Sequence, residues 1–286
     1  MKSQPSISKD ETTKLLDELF SQNDSSKTTL DILKFTADHK ANALKTHGDF
    51  VLYFEDLFNE LNLSLQLLNG VSRNDWKTHK RLQNLLLPEA MKSLHRAFED
   101  TISGYHDESV ILNRSVYETF LRIVFLSCYP DDHYSIIEQK EGKTAFIVTN
   151  FVKENLRLDW EWLYKLMSII SHSKKHRLLK AVTTPMEGNG VYLDYSWDED
   201  GMRIARNIIM FNLACLHHAL VSIFCCDLPQ EHMERINKVD RVLLGIIAAN
   251  PKEDYSRLHF DIQKVGSVVK SADAGEDWKA MANGTD

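Results

Sequence analysis

The stretch from Leu112 to Cys128, LNRSVYETFLRIVFLSC, is apolar on almost every side of the helix that it would form. A helix without a solvent-facing side must be packed by neighbours all round, so we predict a central helix over Val110 to Tyr129. One line on this helix is charged, because Arg114, Glu118 and Arg122 recur at every fourth residue. Charges on a buried helix are costly unless they are paired, so this line must meet partner side chains or a ligand.

Most of the remaining chain also has a helical period. Apolar residues recur at helical spacing over 28–68, where a polar middle predicts a break near Gly48, and Pro88 is expected to separate two further helices. The segments Trp160 to His172 and Ile204 to Cys226 are predicted to be the helices that pack on the central one. The fold class is therefore mainly α, a multi-helix bundle.

One segment departs from the helical period. Within 181–197, the aromatic and β-branched residues of VYLDYSW follow the turn sequence EGNG, which predicts a small β-hairpin insertion. We expect three regions along the chain: a short helix and linker over 1–27, the helical bundle over 28–250, and a poorly structured C-terminal tail over 251–286.

Composition narrows the class of protein. The net charge of -7 provides no global basic field for nucleic acid, so any polyanion site must be a local patch. The first residues lack the apolar core of a signal peptide, and no run approaches the roughly 18 apolar residues of a membrane span. Four cysteines, none in a Cys-x-x-Cys pair, predict reduced and buried thiols in a cytoplasmic protein; they are Cys128, Cys215, Cys225 and Cys226.

Two sets of polar residues are candidates for chemistry. On the central helix, Glu118 could orient Arg114 or Arg122 to bind an anion, or the three residues could form an ion-pair ladder that neutralises itself. Spacing places Ser168, Ser171 and His172 on one face of the helix that ends at His172. His172 there could be a general base, or a histidine that merely ends the helix in the core.

A local basic run follows His172. It holds Lys174, Lys175, Arg177 and Lys180, and could bind phosphate or RNA, or could complement the dipole at a helix C-terminus. His176 stands four residues after His172, a spacing known from metal sites, but the cations around it make a metal unfavourable. We therefore expect no metal and no cofactor.

A second histidine motif lies earlier in the chain. The segment RNDWKTH, Arg73 to His79, resembles the R-x(4–6)-H motif with which HEPN ribonucleases cleave RNA without a metal. About 1.5 such matches are expected by chance in a chain of this composition, so the motif matters only if both side chains converge in a cleft.

A broader resemblance involves the two helical segments. RSVYETFLRIVFL, followed by YKLMSIISH, resembles the bacterial domain of unknown function 5677 family, which has an R-x-x-x-E helix and a later serine-rich helix ending in histidine. The matching positions are Arg114, Glu118, Ser168 and His172, and the resemblance covers roughly Leu85 to Cys226. It implies a helical fold and intracellular bacterial partners from defence or toxin systems; the family has no established activity.

Two functions remain open. One is an interaction or regulatory module, with a protein partner or a second copy of the chain. The other is a metal-independent HEPN-like ribonuclease in which Arg114 and the basic run hold phosphate, Glu118 orients Arg114, and His172 is the acid or base. In the predicted fold, the Arg114/Glu118 face and the Ser168/His172 face meet across a cleft between helices. The enzyme requires an open cleft with His172 reachable from solvent, whereas an interaction module would show a closed, fully paired network and an exposed apolar patch elsewhere.

Overall fold

The computed structural model of the chain describes residues 25–72, 74–132, 161–172 and 198–283, together with Phe151, Leu156 and Leu158. Side chains are described from Lys34 onward, except those of Glu161, Ser171, His172 and Asn283. The segment 1–24 and the β-hairpin expected within 181–197 lie outside the described residues.

The described part of the chain is mainly α-helical, as predicted, and contains eight α-helices and no β-strand. A single 3-10 turn, Pro130–Asp132, follows the third helix. The helices are α1 (Ser25–Asn69), α2 (Thr78–Ile102), α3 (His106–Cys128), α4 (Glu161–His172), α5 (Glu199–Phe224), α6 (Gln230–Ala248), α7 (Glu253–Asp273) and α8 (Trp278–Asn283).

Helix α1 bends where its sequence becomes polar. The non-helical backbone angles fall at His47 (φ -130°, ψ 31°), one residue before the break expected at Gly48. Most of the buried apolar residues of α1 follow the bend, and among them Phe54 stacks on Phe98 of α2 with ring centroids 4.0 Å apart.

Pro88 does not separate two helices, contrary to the expectation from sequence, and lies inside the single helix α2. Proline costs a helix about 3 kcal/mol, because it removes one N–H and crowds the carbonyl four residues earlier. Apolar side chains on both sides of Pro88, among them Leu87, Met91 and Leu94, are buried in the same core. Continuous burial of one face therefore outweighs the local helix-breaking preference.

Helix α5 shares the centre of the bundle with α3. It packs against α1, α2, α3, α6 and α7, and every residue from Ile208 to Phe224 is buried. Its start is set locally, because the Asp198 carboxylate accepts a hydrogen bond from the Gly201 amide at 3.0 Å. Among the described helices, α5 alone is long and apolar enough to cross a membrane, and 94% of its most apolar window is buried inside the bundle.

Buried polar contacts fix the register between the central helices. The Asn212 side-chain amide on α5 donates to the Asn113 carbonyl and side-chain oxygens of α3 at 3.0 and 2.8 Å. Between α2 and α3, the Gln83 amide donates to the Ile123 carbonyl and to Ser127 at 2.9 and 2.7 Å. Any sliding of these helices would leave buried polar groups unpaired, so the contacts favour one alignment.

The C-terminal region was expected to be a poorly structured tail over 251–286, and this expectation is wrong, because residues up to Asn283 form the helices α7 and α8. Helix α7 buries Tyr255, Leu258, Ile262, Val265 and Val269, whose spacing alternates between three and four residues as in an amphipathic helix. This helix packs on α5 and α6, so the boundary expected at residue 250 divides one core. Trp278 of α8 is buried against Tyr129, with ring centroids 5.5 Å apart.

The thiols divide into two pairs. Cys128 and Cys215 are buried and free, as expected, and burial raises the pKa of both thiols. Cys225 and Cys226 are exposed at the end of α5, contrary to the expectation that all four are buried. A thiol with a raised pKa has little thiolate at neutral pH, so the buried pair is chemically inert.

Candidate functional site

The predicted polar pair on the central helix is formed, and a tyrosine of α4 closes it. Arg114 Nε donates to Glu118 Oε1 at 2.9 Å, and Arg114 Nη2 donates to the Tyr164 hydroxyl at 3.2 Å. That hydroxyl in turn donates to the same Glu118 oxygen at 3.1 Å. The guanidinium also lies over the Tyr164 ring, 5.3 Å from its centroid. These three side chains, which we call the Arg114 cluster, join α3 to α4.

The charges of the Arg114 cluster balance each other. The side chains of Arg114 and Glu118 are only 19% and 25% exposed. Burial alone would lower the pKa of Arg114, but the carboxylate of Glu118 and the hydroxyl of Tyr164 outweigh it and raise that pKa. Arg114 therefore stays charged beside the Glu118 carboxylate, and the field that would attract a phosphate is largely cancelled.

Arg122 does not extend this pair into a ladder. It lies one turn beyond Glu118, is half-buried, and forms no hydrogen bond or ion pair with another described residue. The self-neutralising line expected along α3 is therefore formed only between Arg114 and Glu118.

The second predicted set is only partly described. Ser168 lies one turn after Tyr164 on α4 and is half-buried, so its helix does face the Arg114 cluster. The side chains of Ser171 and His172 lie outside the described residues, as do Lys174, Lys175, Arg177 and Lys180. In the RNDWKTH motif, Arg73 is likewise outside them, and His79 is half-buried at the start of α2.

We expect Tyr164→Phe to lower the free energy of unfolding by about 0.5–1.5 kcal/mol, because it removes one bridging hydroxyl from a partly buried pair. Arg114→Met should cost less in the Tyr164→Phe background than in the wild type, since the two side chains contact each other. Guanidinium denaturation of the four proteins measures both effects.

Tyr53→Phe is the matched control, because Tyr53 is exposed and its hydroxyl forms no hydrogen bond with another described residue. Its expected effect is within about 0.5 kcal/mol. If the losses in the free energy of unfolding caused by Arg114→Met and Tyr164→Phe simply add in the double variant, the described contact between the two side chains is contradicted.

Sequence reasoning missed a second polar centre, in the interior between α5 and α6. The His218 Nδ1–H donates to Asp240 at 2.9 Å, and His217 Nδ1 lies 3.6 Å from the other carboxylate oxygen. Adjacent residues point in different directions from a helix, which argues against a chelating His217–His218 pair. In the structure they nevertheless flank one carboxylate, because α6 crosses α5 there.

Asp240 is the charged centre of this group. Burial would raise the pKa of its carboxyl, but the two histidines outweigh burial and hold that pKa well below its ordinary value. His217 is fully buried, and neither of its ring nitrogens has a hydrogen-bond partner among the described residues. The described residues contain no cluster of three or more His, Cys, Asp or Glu able to hold a metal ion.

A serine–histidine contact lies nearby but is not arranged as a catalytic pair. Ser64 Oγ is 2.8 Å from His232 Nε2, and it also donates to the Glu60 carbonyl at 2.8 Å. A hydroxyl has one proton, so His232 must donate to Ser64 rather than accept from it. Activation of a serine needs the opposite direction, so the contact is structural.

A third feature is an open cleft of about 280 Å³. Its walls come from α1 after the bend, from α5, and from the corner between α6 and α7; they include Phe50, Arg206, Asn207, Phe211, Asn250 and Tyr255. Arg206 is a charge on an otherwise buried helix, which is the same signal that pointed to Arg114. A search of the segment from Ile204 to Cys226 for charged residues on a buried helix would therefore have found Arg206.

The fold and these sites define, in the part of the chain that the structure describes, an all-α helical bundle with a closed ion pair, a buried aspartate–histidine centre and an open cleft. Comparison of the chain with models of known protein families, with curated proteins and with solved structures finds no significant match.

Proposed function

We propose that this chain is a helical interaction or regulatory module, acting within a larger bacterial assembly, and not a ribonuclease. The observation that supports the proposal is the closure of the Arg114 cluster. An arginine that binds a phosphate substrate must present its planar fork to solvent. Here Nε and Nη2 are engaged by Glu118 and Tyr164, and the guanidinium face lies against the Tyr164 ring.

A phosphate at this position would have to displace both partners. It would also leave the Glu118 carboxylate partly buried beside it, and repulsion between like charges disfavours that arrangement. The cluster is better suited to hold α4 against α3, which is a structural task. A module that binds partners needs such fixed helices, since its surface must keep one shape.

The test is incubation of labelled bulk RNA with the purified full chain, with and without EDTA. We compare the wild type with His172→Ala and His79→Ala, which remove the two histidines that the sequence motifs single out as candidates for metal-independent cleavage. His259→Ala, on α7, is the matched control. We expect no cleavage above the buffer rate by any of the four proteins. Cleavage that survives EDTA and disappears only in His172→Ala or His79→Ala would establish the ribonuclease instead.

A further inference from the structure

Arg206 is an unusual charge for a bundle core. It lies at the border of the cleft, on the half-buried side of α5, and burial lowers the pKa of its guanidinium. Its one hydrogen bond to another described residue joins Nη1 to His47 Nδ1 at 3.2 Å. A partly desolvated guanidinium that has no carboxylate in direct contact is costly, and a bound anion would offset that cost.

The histidine beside it orients the arginine without neutralising it. His47 Nε2 lies 2.9 Å from Glu199 Oε1, and His47 Nδ1 faces Arg206. A guanidinium can only donate, so Nδ1 accepts from Arg206 and the imidazole proton lies on Nε2, the nitrogen nearer Glu199. The other donors of the Arg206 fork remain available for a ligand. His47 is also the residue at which α1 bends. The bend therefore brings an orienting ring to the cleft.

The remaining walls suit a small molecule with an apolar body. Phe50, Met210, Phe211 and Leu258 supply apolar surface, and Asn207 and Asn250 add amide groups. The Tyr255 side chain is 6% exposed, and its hydroxyl has no hydrogen-bond partner among the described residues. The volume of about 280 Å³ lies just below the range of about 300–1,000 Å³ that is usual for ligand sites, which suits a small ligand.

We propose that this cleft binds a small, mainly apolar molecule that carries one carboxylate, with the carboxylate on Arg206 and the apolar body against Phe50 and Phe211. One guanidinium balances one negative charge and matches a carboxylate bidentately. Asp49 at the rim opposes an anion, but it is exposed, so solvent and salt screen its charge. The cleft shares no residue with the Arg114 cluster, so this site stands independently of the proposed function.

The experiment is calorimetric titration of the full-length chain with 3-phenylpropionate and with 3-phenylpropan-1-ol, which has a similar body and no charge. We expect saturable binding of the acid in the millimolar range or tighter, and at least about tenfold weaker binding of the alcohol. Because this comparison uses the wild type alone, it does not depend on how any variant folds. Equal affinity for the two probes, or no saturable binding of the acid, would overturn the proposal.

Variants then locate the site. Arg206→Gln should weaken binding of the acid at least about tenfold, while Arg206→Lys, which keeps the charge but loses the fork, should weaken it less. Arg203→Gln is the matched control, because Arg203 lies one turn earlier on α5, pairs with Asp200 at 2.6 Å and does not line the cleft. Its affinity should stay within about twofold of the wild type.

Hydrogen exchange provides a second location test that needs no substitution. On adding 3-phenylpropionate, the wild type should gain protection in segments 47–54 and 249–258, which form two walls of the cleft. Protection elsewhere, or an Arg206→Gln protein that folds normally and binds the acid with wild-type affinity, would place the site somewhere else and refute the assignment.

Discussion

Replacing Gly266 by alanine is expected to lower the free energy of unfolding by about 1–3 kcal/mol, the largest effect of any single methyl group that we foresee in this chain. Gly266 is buried on α7, where α7 crosses α5. A Cβ built at this position would overlap the imidazole of His218, with Nε2 as its nearest atom. The ring cannot simply turn aside, because its Nδ1–H is held by Asp240.

The substitution therefore has two poor outcomes. Either the two helices move apart, which costs about 1–3 kcal/mol of packing, or His218 leaves Asp240, which breaks a buried hydrogen bond to a charged group. Both effects would be measured as a lower midpoint in guanidinium denaturation with an unchanged slope.

Two further proteins isolate the cause of this effect. Gly245→Ala is the matched control, since Gly245 lies inside α6 with nothing within 4 Å of the added Cβ. That change should stabilise the fold by about 0.4–1 kcal/mol, because alanine lowers the conformational entropy of the unfolded chain. The double variant Gly266→Ala, His218→Ala should be more stable than the sum of its single changes predicts, because His218→Ala removes the overlap. A Gly266→Ala protein as stable as the wild type would show that α7 does not lie so close to α5.

The second large effect is expected at Asp240. Asp240→Asn should lower the free energy of unfolding by about 3–5 kcal/mol at pH 7, because it removes the buried carboxylate that contacts His217 and His218. The size of this effect should depend on pH. The pKa of Asp240 is depressed in the folded protein, so the native state holds the carboxylate ionised where the unfolded chain would take up a proton.

The sign of the dependence follows from this difference. A carboxyl with a depressed folded pKa contributes stability that is fully present above its unfolded pKa, which is about 3.9, and that is lost as the pH falls below it. The stability gap between wild type and Asp240→Asn should therefore be constant from pH 7 to about pH 5 and should narrow at lower pH. Urea denaturation at several pH values would measure that gap.

Asp56→Asn is the control for this series. Asp56 is exposed on α1, so its replacement should change the stability by less than about 0.5 kcal/mol at any of these pH values. If the Asp240→Asn gap kept its full size at the lowest pH at which both proteins fold, the carboxylate would not be the source of the stabilisation.

The sequence predicted the positions of most helices because helical period and end signals are local. Asp198 before Gly201 is a capping pattern, and the structure forms that cap. Gly104 lies between α2 and α3 with a φ of 89°, a left-handed conformation that glycine adopts without strain and that marks a helix end in a sequence. The ion pair of Arg114 with Glu118 was also foreseeable, since it joins residues four apart on one helix.

These local rules failed where packing against a distant part of the chain outweighs a local helix-breaking preference or covers the apolar face of a helix. Pro88 predicted a break in the helix, but the residues before and after Pro88 are buried in the same core, and this burial keeps α2 continuous. The region after residue 250 was expected to be poorly structured, although its apolar residues have the spacing of an amphipathic helix, and that helix packs on α5 and α6.

Tertiary structure alone decided which distant residues pair with the polar groups on each helix. Tyr164 is 46 residues from Glu118, Asp240 is 22 from His218, and His47 is 159 from Arg206. Periodicity in a sequence determines which residues share a face of one helix, but not which helix covers that face or at what register. The sequence thus determined the helices and the charges that needed partners, and the packing of those helices determined that Arg114 is closed and Arg206 borders an open cleft.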